Sequence, residues 1–140
     1  MEAARAIRMM PRRRWHQAVF LLAGIYNIGW GLWAVIDPQW FFRFTGMPLA
    51  NHPEIFACLG MVVGLYGVLY LEVARAPRRG WLIAAVGLLG KVLGPIGALV
   101  LIGNDLWPSK AFILCLTNDV IWWAPFFLYL RDAWPLAFSD

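Results

Sequence analysis

Three polar side chains stand alone in apolar runs. Lys91 lies in GLLGKVLGPIG, with no other charged or hydrogen-bonding side chain between Leu82 and Ile102. Asp119 follows Asn118 in LTNDVIWWAPF, and Asn27 lies in GIYNIGWGL. A lysine and an aspartate can form an ion pair, or share a proton between a neutral amine and a carboxylic acid, while amides supply the remaining hydrogen bonds. Beside an open space the same set could hold a small polar or amphipathic ligand, or pass a proton. Schiff-base chemistry at Lys91 is a lesser option, because a neighbouring carboxylate holds the amine protonated.

No known catalytic pattern accompanies these residues. The chain has no G-x-S-x-G, no H-E-x-x-H and no phosphate-binding loop, so no residue is assigned a catalytic role. His16 and His52 have no partner at metal-ligand spacing and read as surface or interfacial residues. Cys58 and Cys115 form no C-x-x-C pair and read as small buried hydrophobes. No cofactor is indicated.

The elements that must position the polar residues follow from hydropathy. The chain is 61% hydrophobic and 14% charged, with a mean hydropathy of +0.64. The apolar residues fall in four blocks, 17–36, 54–73, 81–103 and 110–130. Each is long enough, at ~1.5 Å per residue, to cross a hydrocarbon core of ~30 Å. Proline-bearing breaks separate them at Asp37-Pro38, Pro48, Pro53, Pro77 and Pro108. The expected fold is an all-α, four-helix integral membrane bundle with short loops, in one domain.

Counting along these spans places Lys91, Asp119 and Asn27 close to the middle of the third, fourth and first, at one common depth. An isolated charge there costs roughly 2.5–3.5 kcal/mol on insertion scales, so the two should face inward and pair. Small residues support this. Ala84, Gly87, Lys91, Gly94 and Ala98 share one helix face, as do Gly24, Asn27, Gly31 and Ala34, and Ala57, Gly60, Gly64 and Gly67. Such stripes let membrane helices approach closely. Tyr26, Trp30, Tyr66, Trp122 and Trp123 could ring the cluster, making Lys91, Asp119, Asn118, Asn27, Trp122 and Tyr66 the candidate binding set. The bland alternative is a polar cluster that only fixes which helices pack together.

Basic residues orient the chain. The N-terminal segment carries Arg5, Arg8, Arg12, Arg13 and Arg14, the 74–80 loop carries Arg75, Arg78 and Arg79, and the C-terminal end carries Arg131. Arg43 and Lys110 lie on the other side. The positive-inside rule then places both termini in the cytoplasm of a cell whose inner membrane holds the protein. Arg12, Arg13 and Arg14 are expected at the anionic lipid surface, since a basic run abutting a span suits lipid better than nucleic acid. The segment DPQWFFRFTGMP is too aromatic for a free loop. It reads as a short interfacial helix or re-entrant turn, with Trp40 and Phe41 at headgroup depth. Tyr70 is expected to face the interface, and Glu72 to pair with Arg75.

The span count, the DPQWFFRFTGMP loop, the PEIFACLGM helix start and the polar third and fourth helices together resemble small bacterial four-span proteins of the DoxX-like kind, over residues 17–130. The resemblance implies a partner or accessory membrane protein in a redox or stress setting, and assigns no catalytic residue. Three functions follow as expectations. The first is a non-enzymatic accessory or assembly subunit of a larger, redox-related membrane complex. The second is a small-molecule or proton binding or transport protein that uses the polar cluster. The third is a membrane enzyme acting on a lipid, isoprenoid or quinone.

Overall fold

The computed structural model describes residues 10–138; Arg5 and Arg8 of the basic N-terminal segment lie outside them. The chain is helical in the order α1 (Arg13–Ile36), α2 (Trp40–Thr45), α3 (Pro53–Arg75), α4 (Trp81–Gly103), α5 (Phe112–Cys115) and α6 (Ile121–Ala137). A 3-10 turn precedes α5, and a π turn, Leu116–Val120, joins α5 to α6. Together these last pieces form one 29-residue span, Ser109–Ala137. With α1, α3 and α4 it makes four helices long and apolar enough to cross a membrane. Large apolar side chains such as Leu22, Ile25, Leu65, Leu82 and Phe127 point outward, as the surface of a bundle solvated by lipid requires.

The helices pair as two antiparallel hairpins. In the first, α1 lies along α3 through glycine. A Cβ built on Gly31 would meet the Gly60 carbonyl oxygen at 2.5 Å and the Gly64 Cα at 2.8 Å. One on Gly67 would meet the Gly24 carbonyl oxygen at 2.7 Å. The two backbones therefore touch with no side chain between them, the contact the small-residue stripes predict. In the second hairpin α4 packs on the fourth span, and the Trp81 indole donates to the Leu130 carbonyl at 3.2 Å.

At the end that carries both described termini, Phe20, Tyr70, Val73, Phe126, Tyr129 and Ala133 form the core. Tyr70 is buried there, not interfacial as expected. A Cβ on Gly87 would lie 2.5 Å from its hydroxyl oxygen, so a notch in α4 admits the ring. His16 is also a correction: it is fully buried, with Nε2 2.8 Å from Asp132 Oδ2. Arg12 grips the same carboxylate with two N–H groups, at 2.9 and 2.6 Å. It clasps α1 to α6 as well as standing at the bundle's edge, whereas Arg13 and Arg14 are exposed. Glu72 and Arg75 pair through two hydrogen bonds.

At the opposite end the 37–53 connection folds back. The Gln39 side chain donates to the Ala50 carbonyl at 2.9 Å and accepts from the Ala50 N–H at 3.0 Å. Gly46, at φ +79°, ends α2 in the left-handed conformation that suits glycine, where its N–H and that of Met47 both reach the Phe42 carbonyl. Phe41 does not lie at the surface as expected. It is buried and stacks on Phe56 (5.6 Å between centroids, 16° between planes) beside Trp107. Trp40 is half-buried against Trp30. Cys58 is exposed on the outer face of α3 and Cys115 is half-buried, so the expectation that both are buried fails for Cys58.

Candidate functional site

The third and fourth spans bring Lys91 and Asp119 together in the interior. Lys91 is 4% exposed and Asp119 9%. The ammonium donates to the Asn118 backbone carbonyl at 2.7 Å, and its nitrogen lies 4.0 Å from Asp119 Oδ1. The Asn118 side-chain amide donates to Asp119 Oδ1 at 3.2 Å. Lys91 Nζ also stands 5.9 Å from the ring centroids of both Tyr70 and Trp122. The closest partner of the lysine is thus a backbone oxygen, which residue types alone do not reveal.

Local backbone irregularity makes this possible. Asn118 and Asp119 lie in the π turn, where the Ile121 N–H reaches back five residues to the Leu116 carbonyl. Widening a helix by one residue takes carbonyls off the regular ladder and leaves them open to other donors. Pro95 does the equivalent in α4. It has no N–H to offer the Lys91 carbonyl four residues earlier, and the Trp123 indole donates to that oxygen instead, at 2.8 Å. Proline within a hydrophobic span is legible in a sequence; a π turn is not.

Asn27 departs from its expected role. It is 4% exposed, and its amide donates to the Val63 carbonyl at 3.4 Å rather than joining the ion pair. Its Oδ1 has no hydrogen-bond partner among the described residues, and neither do Trp30 Nε1 and Asn118 Oδ1. All three residues line a cavity of about 370 Å³ that also contains Lys91, Asp119, Tyr66 and Tyr70. A second cavity, about 450 Å³, continues from Asp119 toward α2 and is walled by Phe41, Phe56, Leu101 and Trp107. Trp30, Leu59, Gly94, Asn118 and Asp119 border both. Gly94, expected at a tight helix contact, is instead exposed to this space; a Cβ there would meet Asp119 Oδ2 at 3.3 Å. Trp122 reaches the cluster only through its ring face and does not border either cavity.

Comparison with family models, curated proteins and solved structures finds no match for this chain. The chemistry must be read from the site. It offers one cation, one carboxylate, two amide oxygens and an indole N–H, beside an apolar channel. That combination can orient a polar head while an apolar body fills the channel.

Proposed function

We propose that this multi-pass membrane protein binds a small amphipathic molecule within the bilayer, with the head beside Lys91 and Asp119 and the apolar part in the channel toward α2. The observation that carries this reading is the Asn27 side-chain oxygen Oδ1, buried, without a hydrogen-bond partner among the described residues and bordering a cavity that also holds the ion pair. Buried polar atoms are nearly always hydrogen-bonded, and leaving one unpaired costs about 1–3 kcal/mol. A cluster that served only to fix packing would have no use for such an atom beside open space. Both cavities fall within the ~300–1,000 Å³ usual for small-molecule sites.

The distribution of Lys and Arg supports an inner-membrane location with cytoplasmic termini. The accessory-subunit reading implied by the DoxX-like resemblance draws support from the short loops, and it leaves the unpaired atoms without a role. Mass spectrometry of the protein released intact from mild detergent tests the proposal. The wild-type chain should carry an amphiphile at near one-to-one stoichiometry, and Lys91→Met/Asp119→Leu should lose it. An identical lipid complement on both proteins would overturn the reading, and stoichiometric protein partners in place of a ligand would favour the accessory subunit.

A further inference from the structure

Resting on the binding reading above, we infer that the ligand is a neutral lipid alcohol, and that it enters sideways from the bilayer between α3 and α4.

The head group follows from charge and hydrogen-bond inventory. Among the described residues, Lys91 and Asp119 are the only Asp, Glu, His, Lys or Arg side chains bordering the cavities. Their summed charge is zero whether the proton sits on the amine or is shared with the carboxylate. A phosphate would add at least one uncompensated negative charge to a low-dielectric interior, where anion sites need an excess of Arg or Lys. A cationic head would leave the opposite excess. A hydroxyl fits without either. Of the buried unpartnered side-chain atoms among the described residues, those bordering the cavity are two acceptors, Asn27 Oδ1 and Asn118 Oδ1, and one donor, Trp30 Nε1–H. Asn27 and Trp30 are three residues apart on α1, hence neighbours on one helix face. One hydroxyl can donate to the amide oxygen and accept from the indole; an ether or a ketone can only accept.

The route follows from exposure. The cavity wall between α3 and α4 consists of Leu59 and Val62 on one side and Val86, Gly90 and Leu93 on the other, all exposed on the outer surface of the bundle. These positions fall inside the spans Pro53–Arg75 and Trp81–Gly103, away from their ends, in the part of a membrane-crossing helix that meets hydrocarbon. The opening therefore faces acyl chains, not water. Gly90 has open space around it, with no atom within 4 Å of a Cβ built there. A large side chain at that position would block the opening without disturbing a helix contact.

Ligand-induced shifts in the melting midpoint of the full chain in detergent micelles test this. The additions are geranylgeraniol, its methyl ether, its monophosphate and a total membrane lipid extract. We expect the alcohol to raise the midpoint at concentrations at least about ten-fold below those needed for the ether or the phosphate, since each loses or mismatches a buried interaction. Gly90→Trp should melt like wild type alone and gain the alcohol's shift only after much longer incubation than wild type, whereas Asn27→Leu, read against its own unliganded midpoint, should lose the shift. Equal or greater potency of the phosphate or the ether overturns the head-group inference, as does a shift with the extract and none with the alcohol; the binding reading survives those results. A folded Gly90→Trp that gains the shift as quickly as wild type overturns lateral entry. No shift in any arm, the extract included, overturns the binding reading itself.

Discussion

The indole N–H of Trp123 and the carbonyl oxygen of Lys91 are 2.8 Å apart, and the bond between them replaces one that Pro95 cannot make. A side chain from the fourth span thereby completes the backbone of the third at the residue whose ammonium is paired with Asn118. Backbone repair and ion-pair placement are two halves of one contact.

Trp123→Phe should therefore destabilise the bundle by about 1–3 kcal/mol, the cost of an orphaned buried carbonyl. Pro95→Ala restores an N–H to the α4 ladder, so most of that loss should vanish in the double variant. A double-mutant cycle read by thermal or denaturant unfolding in one detergent measures this coupling. Additive effects would mean that the indole acts through packing alone.

Breaking the central pair should cost more than removing it. Lys91→Met leaves Asp119 buried without its cation, and Asp119→Leu leaves the ammonium with only the Asn118 carbonyl. Each single change is expected to destabilise by about 3 kcal/mol, and the double variant by much less, as for other buried pairs replaced by apolar residues. Unfolding midpoints of the three variants test the order.

The α1–α3 contact should tolerate no added carbon. Gly31→Ala drives a methyl into the Gly60 carbonyl and should cost about 1–3 kcal/mol as the backbones separate. Gly29→Ala, two positions away with nothing within 4 Å, should stay within about 0.5 kcal/mol of wild type. Equal effects at the two positions would contradict the close contact.

At the terminal end Asp132 accepts from Arg12 and lies in hydrogen-bond contact with His16. Asp132→Asn is expected to lose about 1–3 kcal/mol, and Arg12→Ala less, because that guanidinium is partly exposed and screened. A larger loss at Arg12 would place the main stabilisation elsewhere.

What a reader of the sequence could recover divides along physical lines. The spans were legible because hydrophobic length is a local property: blocks 54–73 and 81–103 correspond to Pro53–Arg75 and Trp81–Gly103. The first and last helices run further, to Arg13 and Ala137, since helix continues into the headgroup region where hydropathy no longer marks it. Depth counting brought Lys91 to Asp119, because two charges in hydrocarbon have few other partners. It could not show that Asn27 would turn to the Val63 carbonyl, because depth sets height and leaves rotation about the helix axis open. The Arg12–His16–Asp132 cluster joins residues some 120 positions apart with no shared period. Tyr70 and Phe41 carry the amphipathic or aromatic signature of interface residues, and only the notch at Gly87 and the fold of the 37–53 segment bury them.

The division into two hairpins bears on how the chain enters a membrane. Lys91 and Asp119 belong to adjacent spans of the second hairpin, joined by a loop of a few residues, whereas Asn27 arrives with the first. Each charge alone would meet an insertion penalty of roughly 2.5–3.5 kcal/mol at mid-bilayer. Because both lie in one hairpin, its two helices can neutralise each other while they partition together, before the first hairpin is in contact. The space beside them comes into being only when the hairpins meet, with Asn27 and Trp30 closing it from the far side.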